Sequence, residues 1–253
     1  MSLFKMAINL DMDAVVDSSN GLNSMMRKPL FIPLADKAGK LSRPGKTSRL
    51  LMTVVAIAVS LLILTGYTYW PRSPVDLAID SHSRIASLYD SWKKGEVVML
   101  VRHGERCDRS NNDCVGPRDG ITRHGQQVSA EVGRSLEGLG LTQTDVVASP
   151  STRTLQTAEF LVGHPVAAQD WLFDCENMSL DQVMAHKASQ RNLVLVTHSG
   201  CISQIEKQQG YYHADMSDYD SVVFISMNRQ GRPVIRGLLN PEGWNQLMVK
   251  GSK

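Results

Sequence analysis

The chain has 253 residues, of which 42% are hydrophobic and 21% charged, and its formal net charge is +2 at pH 7. A charge so close to neutral argues against nucleic acid or another polyanion as the partner. The length would suit one or two domains, but the composition is uneven along the chain, so only the last part is expected to form a globular domain.

Residues 1–49 mix Gly, Pro, Ser, Lys and Asp without a sustained apolar period, which predicts a disordered cytoplasmic tail. Met25 begins the run Met-Met-Arg-Lys, a natural start for a basic leader. We hypothesise that the residues before Met25 are a start-site artefact. Mass spectrometry that detected native peptides from upstream of Met25 would refute this hypothesis.

The twenty residues from Leu50 to Tyr69 contain no charged residue and no proline. As a helix rising about 1.5 Å per residue they would reach roughly 30 Å, the thickness of the hydrocarbon core of a bilayer. Residues 50–70 are therefore predicted to be a transmembrane signal anchor. A buried globular helix is one alternative, although it would usually show polar positions with a 3.6-residue period. A cleaved signal peptide is another, but no convincing small-x-small cleavage site follows the span.

The segment before this span is mainly basic. Its charged residues are Asp36, Lys37, Lys40, Arg43, Lys46 and Arg49. The positive-inside bias therefore predicts a cytoplasmic N-terminus, a single pass through a bacterial inner membrane and a periplasmic domain after it.

The remaining chain is predicted to consist of a linker with a leading helix over 71–95 and a globular domain over 96–253. Residues 221–239 are predicted to form a strand, an Arg-Gln-Gly turn and a further strand that completes the sheet. Four strands are predicted before that turn, with helices between them. They cover 96–101, 145–148, 192–197 and 221–227. This alternation is typical of a three-layer α/β fold, in which a mainly parallel sheet is covered by helices on both faces.

Three sequence motifs fall where a predicted strand ends and a helix begins. They are RHGE at 102–105, SPSTRT at 149–154 and THSG at 197–200. Ligands of parallel α/β sheets bind at the carboxyl ends of the strands, so we expect the three motifs to converge on one pocket. Between the first two motifs, Thr122 is predicted to cap the helix that follows it.

These motifs and their order resemble the histidine phosphatase superfamily, also called the phosphoglycerate mutase-like fold, over roughly residues 96–240. The sequence HGERCDR at 103–109, with a second cysteine at Cys114, is similar to the branch of lipopolysaccharide core heptose(II)-phosphate phosphatases. The residues after His198 are Ser199 and Gly200, which are closer to the general superfamily than to that branch, so the substrate stays open.

The resemblance implies a phosphoric monoester hydrolase that needs no metal and no cofactor. His103 would be the nucleophile, because neutral imidazole attacks phosphorus and forms a phosphohistidine. Arg102 and Arg153 would bind the phosphoryl oxygens through planar guanidinium groups that are always charged. His198 would be protonated and would donate a hydrogen bond to the same oxygens.

The resemblance also implies a carboxylic acid that protonates the leaving alkoxide, in the segment after the third strand. Glu176 is our first choice and Asp174 the second. Glu105 and Asp108 follow the nucleophile closely in sequence and stay as alternatives.

All four cysteines follow the apolar span, where an oxidising compartment would permit disulfides. Cys107 and Cys114 are the expected pair, because the short loop between them can close beside the active site. Cys175 with Cys201 would be a second pair, and free thiols are the alternative. The sequence has no CxxC motif and no closely spaced histidine pair, so we predict no zinc site.

The sequence as a whole favours a membrane-anchored periplasmic phosphatase whose substrate is a phosphorylated sugar, above all a heptose phosphate of the lipopolysaccharide core. Arg106, Arg109 and Arg118 flank the expected mouth of the pocket, where they would meet further negative charge on the sugar or serve as ordinary surface residues. One alternative is a phosphatase of another periplasmic phosphomonoester or of a phosphoprotein. The other is a catalytically silent phosphate-binding module.

Overall fold

The computed structural model describes residues 45–70, 73–79 and 82–251. Most of the predicted tail and the proposed start at Met25 lie outside these residues. The first described helix, α1 (Lys46–Tyr69), begins inside the basic segment that precedes the predicted span. By length and composition it can cross a membrane, with a mean hydropathy of 2.3 over its most apolar window and no residue of that window buried. The chain divides within this helix into Met1–Val59 and Ser60–Lys253, and the description below concerns the second unit.

A sheet of six strands forms the centre of this unit in the part that the structure describes. The strands are β1 (Val98–Arg102), β2 (Thr144–Ala148), β3 (Ala167–Ala168), β4 (Asn192–Thr197), β5 (Val222–Met227) and β6 (Pro233–Leu239), in the spatial order β3-β2-β4-β1-β5-β6. The first four strands are parallel to one another, and β5 pairs antiparallel with β1 and with β6. The sheet is therefore mainly parallel, as predicted.

Helices cover both faces of the sheet. They are α2 (His82–Lys93), α3 (Arg123–Leu139), α4 (Thr152–Val162), α5 (Leu180–Ala185), α6 (Ser199–Gln208) and α7 (Trp244–Gly251). Alternate residues of β1 enter two separate hydrophobic clusters, Met99 and Val101 with α2, α3, α4 and α7, and Val98 and Leu100 with α5 and α6. The predicted three-layer α/β architecture is confirmed.

Strand β1 begins two residues later than predicted. The Val97 N–H donates to the side-chain Oδ1 of Asn192 at 3.0 Å, and the Glu96 N–H donates to the Ser91 carbonyl at 3.0 Å. These two backbone groups are thus satisfied by the end of α2 and by a side chain of β4, and the ladder with β4 starts at Val98. The apolar run indicates burial correctly, but burial alone does not mark the first residue of a ladder.

Candidate active site

Two histidines meet at the carboxyl ends of the central strands. β1 and β4 are neighbours, with Arg102 opposite Thr197, and the His103 N–H donates to the Thr197 carbonyl at 3.0 Å. His103 and His198 therefore leave adjacent strands at the same level, and their ring centroids lie 5.5 Å apart. Parallel strands and their register, rather than proximity in sequence, bring the two rings together.

The third motif joins them from β2. The Ser149 N–H donates to the Val196 carbonyl at 2.9 Å, which aligns the end of β2 with the end of β4. The Ser149 hydroxyl lies 2.9 Å from His198 Nε2, and Arg153, in the first turn of α4, places Nη2 3.3 Å from His198 Nδ1. A guanidinium only donates, so Nδ1 accepts and Nε2 carries the proton that is donated to Ser149.

His103 has the chemical state that a nucleophile requires. Its ring is buried and its Nδ1 lies 2.8 Å from the Gly104 carbonyl. A carbonyl only accepts, so the proton sits on Nδ1 and the lone pair of Nε2 is free. Burial, together with the positive charges of Arg153 and Arg102 and with His198, lowers the pKa of His103 to about 3 against the raising effect of the Gly104 carbonyl. The imidazole is therefore neutral at pH 7.

The protein groups around His198 disfavour its protonated form. Burial and the positive charges of Arg153 and Arg106 lower the pKa of His198 to about 4. The protein groups alone thus keep both rings neutral at pH 7, and protonation of His198 against a bound phosphoryl group stays a prediction. Negative charge on a phosphoryl group would oppose the effect of the arginines and favour the protonated form. The sequence could not indicate this, because the motif does not show how deeply the ring is buried.

Arg102 is enclosed by the segment before β5. Its guanidinium stacks on the Tyr219 ring, 4.0 Å from the ring centroid, and its Nη1 donates to the Ser217 carbonyl. Its backbone N–H donates to the Ser221 carbonyl at 3.0 Å. Within the described residues, the buried Nε atoms of Arg102 and Arg153 have no hydrogen-bond partner. Buried donors of this kind are normally paired, so both are available to an oxygen-rich ligand.

The loop after His103 is held by backbone pairing and by a side-chain cap. Arg106 pairs antiparallel with Ile121, and Cys114 with Thr122. The Thr122 hydroxyl accepts from the Gly125 N–H at 2.9 Å, which confirms the predicted cap of α3. The Arg106 side chain forms a two-point ion pair with Asp108, the first of its contacts being Nε to Oδ1 at 2.7 Å.

The four cysteines form two pairs at disulfide distance. The Cα atoms of Cys107 and Cys114 are 5.4 Å apart, and those of Cys175 and Cys201 are 4.2 Å apart. The first pair closes the loop beside His103. The second joins the segment after β3 to the first turn of α6, the helix that follows His198.

The predicted acids lie less closely against the two histidines than the predicted phosphate ligand Arg153 does. No hydrogen bond joins any of the four carboxylates to His103 or His198 in the described residues. Hydrogen bonds from Asn177 lower the pKa of Asp174. Glu105 accepts hydrogen bonds from Asn112, Thr122 and Ser110, and these outweigh the raising effect of burial, so the pKa of Glu105 is also lowered. A lowered pKa makes a carboxyl a poorer proton donor near neutral pH.

Glu176 is exposed and its carboxylate makes no hydrogen bond or ion pair within the described residues. Its segment nevertheless lies against the site. The Phe173 ring meets the His198 ring edge-on, with centroids 5.7 Å apart, and Cys175 is paired with Cys201. Phe173 is 59% exposed, so it lines the open side of the pocket and not the core.

Residues 98–174, which contain His103 and Arg153, match the family model of the histidine phosphatase superfamily (branch 1). The resemblance inferred from the motifs is confirmed. A lipopolysaccharide core heptose(II)-phosphate phosphatase from Escherichia coli (strain K12 / DH10B) is 34% identical over 116 residues, which are 45% of this chain and 58% of that protein. The protein of the same name from Escherichia coli O8 (strain IAI1) aligns with the same figures. The chain thus spans 58% of the length of these curated relatives.

Similar solved structures include a phosphoserine phosphatase from Entamoeba histolytica in complex with 3-phosphoglyceric acid. It is 17% identical, with a TM-score of 0.44 over 58% of this chain and 98% of that one. A phosphoglycerate mutase from Bacillus anthracis str. Sterne is 15% identical, with a TM-score of 0.44 over 64% of this chain and 99% of that one.

Proposed function

We propose that this protein hydrolyses a phosphomonoester through a phosphohistidine intermediate on His103. The observation that carries the proposal is the state of this ring, which is buried, neutral and hydrogen-bonded through Nδ1, so that Nε2 is free to attack phosphorus. His198 lies beside it, and Arg102 and Arg153 supply buried donors without partners. A nucleophile flanked by cationic donors is what in-line phosphoryl transfer requires.

The reaction would proceed in two steps. His103 Nε2 attacks phosphorus, the bond from phosphorus to the ester oxygen breaks, and the leaving alkoxide takes a proton from the acid. Water then attacks the phosphohistidine and gives a proton to the carboxylate left by the acid, the phosphorus–nitrogen bond breaks, and inorganic phosphate leaves with the imidazole and the acid restored. Arg102, Arg153 and a His198 protonated by the bound charge would hold the oxygens through both steps. No step draws on a metal or a cofactor.

The substrate that we propose is a heptose phosphate of the lipopolysaccharide core. The names of the curated relatives support it, and so does the number of arginines near the pocket. Arg106 and Arg109 both act electrostatically on Arg153, so they lie near enough to meet further anionic groups of a lipopolysaccharide. Another phosphomonoester or a phosphoprotein would use the same chemistry and is the competing substrate class.

We also propose that α1 anchors the protein in the inner membrane, with the catalytic domain in the periplasm and residues 1–49 in the cytoplasm. The apolar length of α1 and the basic residues before it support this topology. Protease added to intact spheroplasts should degrade the domain after the span. Protection of that domain until the membrane is ruptured would refute the topology.

The function can be tested with the full chain in detergent micelles and in the presence of EDTA. We expect release of phosphate from p-nitrophenyl phosphate, and faster release from a lipopolysaccharide core oligosaccharide that carries heptose phosphate than from soluble sugar phosphates or a phosphopeptide. Hydrolysis of all these esters at similar rates would contradict the proposed substrate. Binding of phosphate without hydrolysis of any ester would instead support the silent binding module.

The acid can be identified by its dependence on the leaving group. If Glu176 protonates the alkoxide, Glu176→Gln should slow hydrolysis of an alkyl phosphate by about 10²-fold or more and leave p-nitrophenyl phosphate nearly unaffected, because p-nitrophenolate leaves without a proton. The comparison is the ratio of kcat/KM for the two esters. Asp174→Asn and Glu105→Gln are the matched variants, and a selective loss in either would move the assignment there. Equal losses on both esters would exclude Glu176 as the acid.

A further inference from the structure

Asp220 is a buried carboxyl beneath the candidate active site that the proposed mechanism does not use. It is 1% exposed and precedes β5, and its φ of 57° lies in the left-handed region, which few residues other than glycine adopt. Its Oδ1 accepts a hydrogen bond from the Ser129 hydroxyl of α3 at 2.6 Å. Its Oδ2 is buried and has no hydrogen-bond partner in the described part of the chain. A strained backbone and an unsatisfied buried oxygen at one residue call for a functional explanation.

The carboxyl packs against the nucleophile segment. A Cβ placed on Gly104 would lie 3.0 Å from Ser129 Oγ and 3.2 Å from Asp220 Oδ2, so the side chains of Ser129 and Asp220 fill the space under Gly104. From the other direction, the Gly104 N–H donates to Thr157 Oγ1 at 2.8 Å. The peptide that carries His103 is thus held between α4 and the pair formed by Ser129 and Asp220.

Asp220 also lies in the segment that encloses Arg102. Ser217 and Ser221 accept hydrogen bonds from Arg102, and the Tyr219 ring stacks on its guanidinium. Tyr219 and Ser221 flank the left-handed residue Asp220, and the Tyr219 ring lies 5.8 Å from the His103 ring between their centroids. The hydrogen bond from Asp220 to Ser129 ties this turn to α3. Loss of this hydrogen bond would remove the link between the turn and α3.

We propose that Asp220, through its hydrogen bond with Ser129, is a positioning residue that holds Arg102 and the His103 peptide for phosphoryl transfer and takes up a proton when a dianion binds at Arg102. The inference rests on the proposed function. Burial, opposed by the Ser129 hydrogen bond and by the charge of Arg102, raises the pKa of Asp220 to about 7. A dianion at Arg102 offsets that positive charge, so the pKa of Asp220 rises further and the carboxyl gains a proton.

The titratable groups around Asp220 are Arg102 and His103 from the segment at the end of β1, and Asp218 and Tyr219 from its own turn. α3 contributes the hydroxyl of Ser129. His198 also gains a proton on dianion binding in the proposed mechanism, so proton uptake by the wild-type protein alone does not identify Asp220. The difference in proton uptake between the wild type and an Asp220 variant identifies it.

The experiment uses the full chain in micelles, with tungstate as a dianion that does not titrate near pH 7. Calorimetry in buffers of different ionisation enthalpy gives the number of protons taken up per tungstate. At a pH near the pKa of Asp220, Asp220→Asn should take up fewer protons than the wild type, by as much as about half a proton. Asp218→Asn removes the same charge from the same turn without touching Ser129, and it should match the wild type.

Positioning is tested by kinetics on p-nitrophenyl phosphate. Asp220→Ala and Ser129→Ala should lower kcat/KM by about tenfold to 10²-fold, and Asp220→Asn, whose amide oxygen still accepts from Ser129, should restore most of it. Thermal unfolding separates a positioning effect from loss of fold. A purely structural Asp220 would lower the Tm of the alanine variants without changing kcat/KM or proton uptake.

Equal proton uptake by Asp220→Asn and the wild type would overturn the inference, and so would wild-type kinetics in a folded Asp220→Ala protein. If Asp220→Ala does not fold, Ser129→Ala and Asp220→Asn still decide the matter. A wild-type protein that hydrolyses no ester would overturn the proposed function itself. Hydrolysis with an unchanged proton number would overturn the Asp220 inference alone.

Discussion

Replacement of His103 by alanine is expected to abolish ester hydrolysis, with kcat falling by about 10⁴-fold or more, because the phosphoryl group loses its acceptor. The buried, neutral ring with a free Nε2 is the feature that makes the effect so large. The measurement is p-nitrophenyl phosphate turnover by purified protein in the presence of EDTA. Binding of phosphate should persist in the variant, since Arg102, Arg153 and His198 remain.

A matched control is His164→Ala, which removes an exposed histidine beyond α4 and should leave turnover unchanged. The intermediate offers an independent check. Wild-type protein quenched during turnover should carry an acid-labile phosphate on His103, detectable by mass spectrometry of peptides kept at alkaline pH. Turnover that survives in His103→Ala, or a phosphate mapped to another residue, would remove His103 from the role of nucleophile.

The central strands could be predicted because burial leaves a clear pattern in the sequence. β1 and β4 are buried on both faces, so each reads as a continuous apolar run, and the motifs that follow them mark their ends. β3 has only two residues, both exposed, and it pairs only with the end of β2, so it has no apolar pattern of its own. Its position depends on the sheet that already exists beside it.

The site likewise contains residues that the sequence predicts and residues that it does not. His103, Arg153 and His198 follow strand ends, and the rule that parallel α/β sheets bind ligands there brings them together without a structure. Tyr219 and Asp220 lie in a turn with no motif, and their roles arise from contacts with Arg102 and Ser129, which are distant in sequence. The signal that could have drawn attention to them is the run of polar residues immediately before the apolar strand β5.

The sequence determines neither the protonation state of His198 nor the identity of the acid. The sequence supplies the ring and several carboxylates, but pKa values depend on burial and on the charges that surround each group. Burial is the largest cause of the lowered pKa of His198, and it can be read only from the folded chain. The sequence therefore predicts which residue types lie in the site, but it does not predict their charge states.

Replacement of Arg153 is expected to have the second largest effect. Arg153→Ala removes a planar donor from the phosphoryl group, and we expect kcat/KM for p-nitrophenyl phosphate to fall by about 10²-fold to 10³-fold. Arg153→Lys should recover little of this loss, because an ammonium group keeps the charge but lacks the fork that meets two oxygens at once. Arg134→Ala, at an exposed arginine of α3, is the control and should retain wild-type kinetics.

The same Arg153 variants also test the pKa of His198, which can be measured independently of activity. The guanidinium of Arg153 lowers the pKa of His198, so its removal should raise that pKa above about 4, while burial, the larger cause, keeps it below the ordinary value of a histidine. In the lysine variant the positive charge remains and the pKa should stay close to that of the wild type. NMR titration of the imidazole Cε1–H would report both values. An unchanged pKa in Arg153→Ala would mean that the guanidinium does not lie beside His198 in solution, and the hydrogen bond to Nδ1 would then be wrong along with the tautomer inferred from it.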